Sequence, residues 1–188
     1  MPRVALHKLN KRFKMIRIAR VPAALLLAVL TASGETFAPR PATAADGLIV
    51  AHRIPAALAL EAVGEAVKVC AAMGYTESAV LLDVGGNPQA CLRGDDAGLA
   101  TMENADHKAY TAVAYKIDTS ALVAKAKTGA EMSPALNRLS RLILSPGGVV
   151  IKFNDEVIGA IGASGAPFGA KDEACARAGV DKIAARLK

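Results

Sequence analysis

Aromatic side chains are scarce in this sequence, and tryptophan is absent from it. Only 4% of the 188 residues are aromatic although 53% are hydrophobic, so small aliphatic side chains supply most of the apolar surface. A chain of this length and hydrophobicity can bury the core of one ordinary domain, which excludes a disordered or fibrous protein. We therefore expect a tightly packed fold built from small residues.

Cysteine is also rare, with Cys70, Cys91 and Cys175 as the three thiols of the chain. No two of them form a C-x-x-C pair, which excludes a thioredoxin-type redox site, a zinc ribbon and covalently attached c-type haem. Cys70 and Cys175 lie among alanines on predicted helices and are interpreted as small buried apolar residues. Because the number is odd, at least one thiol is unpaired or pairs between chains.

Positive charge is confined to one end of the chain. The formal net charge is +6, but residues 1–44 hold eight basic residues and one acid, so the remainder carries −1. A nearly neutral remainder excludes a basic nucleic-acid-binding domain, and no nucleic acid is expected among the partners.

The first 44 residues have the three zones of a secretory signal. A basic segment precedes an apolar run at about residues 21–32, and residues 42–44 (ATA) form an A-x-A cleavage pattern. That run is too short to span a membrane as a helix, so we expect a cleaved signal peptide over residues 1–44. The competing interpretation is an uncleaved membrane anchor.

Cleavage is expected after Ala44, with Ala45 as the alternative, and Met15 is the alternative start of translation. Residues 45–188 then form a single mature domain, located in the periplasm or secreted, without a stable membrane anchor.

His52 and His107 are the histidines of this mature part, and two histidines do not form the pattern of a structural zinc site.

Hydrophobic periodicity and turn residues divide the mature chain into short elements. The predicted strands are 48–54, 79–84, 89–93, 149–153 and 156–163, and tight turns at 85–88 and 154–155 join four of them into hairpins. The predicted helices are 55–73, 97–116, 121–127 and 133–142, with a last helix opened by Asp172 and Glu173. This order predicts an α/β fold of the α+β type, with a single antiparallel sheet of about five strands flanked by helices.

Two elements carry a further pattern. The apolar stripe of the helix predicted over 55–73, which is expected to face the core, contains Leu60, Val63, Val67, Cys70 and Ala71. Gly159, Gly162 and Gly165 recur in and just after the last predicted strand, with a spacing that departs from a nucleotide-binding G-x-G-x-x-G loop. They indicate a strand on which another backbone packs closely.

The helix predicted over residues 97–116 has a polar face opposite an apolar face of small residues. The polar face contains Glu103, Asn104, His107, Tyr110, Thr111 and Ala114. It is either an ordinary solvated surface or a face that binds a ligand or another subunit. In the second case His107 or Tyr110 would coordinate a haem iron.

Several segments resemble the GlcG/HbpS haem-binding family. Residues 105–112 (ADHKAYTA) match its A-x-x-K-A-x-T-A motif, and residues 156–167 (EVIGAIGASGAP) resemble its GEVIGAIGVSGAP run. Residues 172–179 (DEACARAG) match DExCAxAG, and residues 82–86 and 93–95 lie where the family has VVDxxG and R-x-D. The resemblance covers essentially the whole mature chain and extends to the C-terminal domain of PduO-type cobalamin adenosyltransferases.

This resemblance implies a sheet flanked by helices that assembles into a homo-oligomer, often an octamer. It implies haem as the cofactor, with a corrinoid as the alternative, bound reversibly at a surface or a subunit interface. Lys108 and Thr111 match the motif residue by residue, and His107 beside them is the candidate iron ligand, with Tyr110 as the alternative. Lys108 or Arg93 would meet the haem propionates by charge.

The leading hypothesis is therefore an exported haem-binding or haem-handling protein, with no residue assigned as catalytic. One alternative is a small-molecule isomerase, lyase or redox enzyme that uses the region of Asp83, Arg93 and His107. Another is a corrinoid-binding accessory protein. Asp83 precedes a Gly-Gly turn and is itself interpreted as a turn-forming carboxylate.

Overall fold

The computed structural model describes residues 51–129 and 138–187 of the chain. The predicted signal peptide over residues 1–44 lies outside these ranges, as does part of the strand predicted at 48–54. Within the described ranges, no helix is both long enough and apolar enough to cross a membrane.

The described chain contains four helices and four strands, in the order α-β-β-α-α-β-β-α. The helices are α1 (Ala56–Ala72), α2 (Thr101–Tyr115), α3 (Thr119–Lys127) and α4 (Gly169–Ala184). The strands are β1 (Ser78–Asp83), β2 (Pro88–Arg93), β3 (Gly148–Phe153) and β4 (Glu156–Ser164). All neighbouring strands are antiparallel, in the order β2-β1-β4-β3.

The predicted α/β fold with one antiparallel sheet and two hairpins is thus confirmed. The strand number differs slightly, because the described residues form four strands and not about five. Residues 51–54, the described part of the first predicted strand, are not paired with any described strand.

The sheet lies between two layers of helices. Successive side chains of a strand point to opposite faces of the sheet. On one face, Ala79 and Leu81 of β1 belong to a core that α1 and α4 cover. On the other face, Val80 and Leu82 pack with the buried alanines of α2.

α2 packs with its backbone directly on the sheet, at glycines. A Cβ on Gly162 of β4 would overlap the Ala105 carbonyl oxygen and lie 2.7 Å from the Ala109 nitrogen. A Cβ on Gly148 of β3 would overlap the Lys108 carbonyl oxygen. The prediction that glycines of this strand allow a close backbone approach is therefore confirmed at Gly162.

Replacing Gly162 by alanine is expected to lower the free energy of unfolding by about 1–3 kcal/mol, because the methyl group must push α2 off the sheet. The matched control is Gly64→Ala in α1, where no described atom outside its own helix backbone lies within 4 Å of the new Cβ. That change is expected to stabilise by about 0.5–1 kcal/mol through helix propensity. Urea unfolding of both variants measures the difference, and equal midpoints would contradict this account of α2 packing.

α2 begins at Thr101, four residues later than the sequence predicts. Asp96 has a φ of 59° in the left-handed region, and the Ala97 N–H donates to the Gly94 carbonyl at 3.2 Å. The Ala97 carbonyl in turn accepts a hydrogen bond from the Arg93 guanidinium. Hydrogen bonds within residues 93–97 therefore hold this segment in turns where the sequence pattern favours helix.

Two other helix boundaries also differ from expectation. The short helix predicted over 133–142 is absent from its described part, 138–142, which consists mainly of turns. α4 begins at Gly169, before the predicted start at Asp172.

A disulfide joins Cys70 of α1 to Cys175 of α4, with 5.6 Å between the Cα atoms. Both residues are fully buried, so the sequence interpretation was right about burial and wrong about the chemistry of the two thiols. Cys91 is exposed on β2 and is the free thiol of the described chain.

Candidate ligand-binding site

The outward face of α2 carries the histidine that the sequence singles out. The His107 side chain is 20% exposed, and its Nε2 lies 3.9 Å from Oε1 of Glu103, one turn earlier. This distance is too long for a hydrogen bond. Among the described residues, the imidazole therefore has no partner that would block a ligand at Nε2.

Tyr110 lies one turn further along α2 and is covered by Arg141. The guanidinium carbon lies 4.2 Å from the centre of the Tyr110 ring, at the distance of a cation–π contact. Arg141 also donates to both carboxylate oxygens of Asp106, each at 2.7 Å, and these bonds raise the pKa of Arg141. The cation is thus held on the same face as His107.

A shallow cleft of about 270 Å³ lies beside the Tyr110 ring. Gly86 makes it possible, because a Cβ at that position would lie 2.8 Å from Cε2 of the ring. The other lining residues are Val84, Gly85, Val113 and Ala114. The cleft is therefore lined by small residues and their backbone, with one aromatic side.

Thr111 is buried beneath this face and fixes its geometry. Its hydroxyl donates to the His107 carbonyl at 2.8 Å and accepts from the Ile143 N–H at 2.9 Å. Thr111 therefore ties the segment that carries Arg141 to the turn of α2 that carries His107.

Lys108 points away from the outward face and into the protein. Its Nζ lies 2.5 Å from Oδ2 of Asp172 and 3.1 Å from the Ala163 carbonyl, and both charged side chains are buried. The other oxygen of Asp172 accepts the Ala166 N–H at 2.9 Å. This buried ion pair connects α2 to the first turn of α4 across the end of β4.

Arg93 and Asp83 lie at opposite ends of the β1–β2 hairpin. Arg93 pairs with Ser78 at the start of β1, whereas Asp83 is the last residue of that strand. At about 3.4 Å per residue, roughly 17 Å separate the two ends. The structure therefore does not bring together the groups that the enzyme hypothesis combines.

Asp83 holds the turn that follows it. Its carboxylate accepts the Asn87 backbone N–H at 2.9 Å, and this bond holds the pKa of the carboxyl below its ordinary value. The interpretation of Asp83 as a turn-forming carboxylate agrees with this geometry.

Sequence reasoning missed Glu77, an acid that is only 1% exposed. One of its carboxyl oxygens contacts Sγ of Cys70, and the other has no hydrogen-bond partner among the described residues. Burial, and secondly the negative charge of Asp172, raise the pKa of Glu77 to about 8, although Lys108 acts in the opposite direction. A disulfide sulfur carries no proton, so the contact with Cys70 also favours the protonated carboxyl, which can donate.

A single antiparallel sheet between helices, with its candidate groups on an outward helix face, defines a small α/β domain. The chain belongs to the HbpS-like family, because the family model described as haem degrading protein HbpS-like matches residues 54–181. This confirms the family that the motifs indicate.

Solved structures agree with this assignment. The crystal structure of HbpS is 31% identical, with a TM-score of 0.66 over 71% of this chain and 92% of that one. A double mutant of HbpS from Streptomyces reticuli is 32% identical, with a TM-score of 0.66 over 77% and 97%. The PduOC:Heme complex is 24% identical, with a TM-score of 0.65 over 70% and 96%, and shows the fold alone. No curated protein matches the chain.

Proposed function

We propose that the protein is an exported haem-binding protein with a reversible haem site on the outward face of α2. His107 is the proposed iron ligand. The observation that carries this proposal is the accessible imidazole with no hydrogen-bonded partner among the described residues, in a family described as haem-degrading. The PduOC:Heme complex adds that a protein of this fold carries haem.

The surroundings of His107 suit a flat amphipathic ligand. The Tyr110 ring and the cleft beside it offer a surface for the porphyrin, and Tyr110 is the alternative ligand of the iron. Arg141 lies over the Tyr110 ring, and a propionate that binds it would share the guanidinium with the Asp106 carboxylate. The pairing of Lys108 or Arg93 with propionates stays a prediction, and in this chain Lys108 is paired with Asp172.

Hemin titration of the purified protein is expected to give a Soret band, and His107→Ala should weaken binding at least about tenfold, or 1.4 kcal/mol. His52→Ala is the matched control, because His52 bonds Glu156 at 2.6 Å and its ring lies 4.3 Å from the Phe153 ring. A flat titration of the wild type, or equal loss in both variants, would refute the site. Loss only in Tyr110→Phe would assign the iron to Tyr110, and tighter binding of cobalamin than of hemin would favour the corrinoid alternative.

We also propose that residues 1–44 are removed during export to the periplasm or the medium, and that the mature chain forms a homo-oligomer, with an octamer expected from the family. Support for self-association comes from large apolar side chains at the surface of the described chain, such as Leu99 at 94% and Phe168 at 71% exposure. Intact-mass measurement of the exported protein tests cleavage after Ala44, and light scattering tests the assembly.

A further inference from the structure

The two outer strands of the sheet have different free edges. β2 and β3 each pair with another described strand on one side only, since the order is β2-β1-β4-β3. The free edge of β3 is covered by side chains at the start of α3. The Gly148 N–H donates to the Thr119 hydroxyl at 2.9 Å. The Val150 N–H donates to the Asp118 carboxylate at 2.9 Å, so this edge is closed to another strand.

The free edge of β2 has no such cover in the described chain. Along an antiparallel strand, residues that bond to the neighbouring strand alternate with residues whose backbone groups point outward. Glu77 and Gly94 extend the β1–β2 ladder by one pair, in which the Gly94 N–H donates to the Glu77 carbonyl at 2.8 Å. Cys91 and Arg93 lie an odd number of residues before Gly94, so their N–H and C=O groups point outward. None of these four groups bonds to a described residue.

The side chains along this edge leave it accessible. Cys91, Leu92 and Arg93 are all exposed. Outer strands are commonly protected from pairing by lysine, proline or a bulge. In β2 both Pro88 and the irregular register beside Leu82 lie at the start of the strand, and Arg93 is its one charged residue. The later part of β2 is therefore an open template for another strand.

A second copy of the same strand fits this template. Two copies related by a two-fold axis pair antiparallel, and outward-pointing residues must face each other to exchange hydrogen bonds. With the axis at Cys91, Leu92 faces the partner's Ala90, and most of β2 overlaps its copy. An axis one residue earlier would route every bond through the irregular start of β2. An axis one residue later would overlap only the last part of the strand.

We propose that the free edges of β2 in two copies of this chain pair antiparallel about Cys91 and join two four-stranded sheets into one continuous sheet. This interface rests on the self-association proposed above and specifies one of its contacts. The outward backbone groups of Cys91 and Arg93 gain partners in it. The Leu92 side chain, 40% exposed in the single chain, is covered by the second copy.

The test places charge at the proposed axis. Cys91→Lys and Cys91→Glu each set two like charges directly opposite each other, which opposes pairing. Each variant alone is expected to raise the dissociation constant at this interface at least about tenfold. Light scattering, at the lowest concentration at which the wild type is fully assembled, should then give half of the wild-type mass or less. An equimolar mixture of the two variants should regain the wild-type mass, because opposite charges then face each other.

Ala124→Lys and Ala124→Glu are the matched controls, because Ala124 is exposed on α3 and lies outside the sheet. Both should keep the wild-type mass. Far-UV circular dichroism of all four variants should match the wild type, which separates lost association from lost folding. Hemin titration of the same variants tests the haem site independently of the interface.

Cross-linking of Cys91 provides a second measurement. The Cα atoms of a hydrogen-bonded antiparallel pair are about 5.5 Å apart, within reach of a short bifunctional methanethiosulfonate. Cys91 is the free thiol of the described chain. Burial, and secondly the charge of Asp106, raise the pKa of this thiol, so the reaction is run in mildly alkaline buffer. The wild type should give covalent dimers, whereas Cys91→Ala combined with Ala124→Cys should stay mostly monomeric on a denaturing gel.

The outcomes separate this interface from the other proposals. A monomeric wild type would overturn both the interface and the proposed self-association, without bearing on haem binding. Wild-type mass in both Cys91 variants, equal cross-linking at Cys91 and Ala124→Cys, or a mixture that fails to reassemble would overturn the interface alone. Tighter association of Cys91→Glu would also overturn it, because the axis would then lie at Leu92, with residue 91 facing the partner's Arg93.

Discussion

Replacement of Lys108 by methionine is expected to lower the free energy of unfolding by about 3–5 kcal/mol, because it leaves a buried carboxylate without its counter-charge. Methionine matches the length of the lysine stem and fills the same space, so the change removes mainly the ammonium. Asp172 would keep the bond from the Ala166 N–H and lose its partner at 2.5 Å. Chemical denaturation of the purified variant measures the loss.

Two further variants separate charge from general damage. Lys68→Met removes a surface lysine that is 74% exposed and lies 3.3 Å from Glu65, and it should cost at most about 1 kcal/mol. Adding Asp172→Asn to Lys108→Met should recover part of the stability, since it removes the uncompensated charge. If Lys108→Met behaved like Lys68→Met, the buried ion pair would have no structural importance.

Removal of the disulfide has an effect of similar size. The double substitution Cys70→Ala with Cys175→Ala is expected to lower the free energy of unfolding by about 4–5 kcal/mol, the value for a loop of roughly 100 residues in the chain-entropy model. The two cysteines are 105 residues apart. Thermal or guanidinium unfolding of the double variant measures the difference.

Cys91→Ala is the control for the loss of a thiol, because Cys91 is exposed and unpaired in the described chain. Reduction of the wild type with a dithiol should lower its unfolding midpoint to that of the double variant. Reduction should lower the midpoint of Cys91→Ala by the same amount. An unchanged midpoint in the double variant would show that α1 and α4 are held by packing alone.

The local sequence was sufficient for the two hairpins and their four strands, but it also predicted a strand at 48–54 whose described part, 51–54, is not in the sheet. Alternation and turn residues such as Asn154-Asp155 identify the hairpins without tertiary information, and Asn154 does have a φ of 52°. The disulfide could not be deduced, because three cysteines allow three intramolecular pairings and spacing does not reveal which helices are neighbours. Pairing depends on the approach of α1 to α4, which is a property of the whole fold.

Hydrophobicity identified the buried stripe of α1 only in part: Val63 and Cys70 are buried as predicted. Leu60 was expected to face the core and is 61% exposed, whereas Ala59 and Ala62 are fully buried. α4 comes so close that a Cβ on Gly179 would lie 2.5 Å from the Ala62 carbonyl oxygen. In a chain this rich in alanine, side-chain volume decides which residues fit between the helices, and the larger leucine lies outside.

For the α2 site, the sequence predicted that His107 lies on the outward face of the helix. It did not predict that the neighbouring Lys108 is buried. Lys108 is spaced three residues from Ala105 and four from Ala112, which places it on the inward side of a helix. That spacing was available in the sequence, but the partner on α4 was not, because Asp172 lies 64 residues away. Glu77 gave no local signal either, since its burial comes from the end of α1 and the turn after β2.

The buried ion pair and the disulfide both include a residue of α4, Asp172 and Cys175, and α4 follows all other helices and strands of the described chain. β4, which pairs with both β1 and β3, also comes late. A growing polypeptide can therefore close neither the ion pair nor the disulfide until α4 has been synthesised. Until then α1 and α2 lack these two partners on α4, and a chain that these contacts do not yet hold is the form that the proposed export would thread across a membrane.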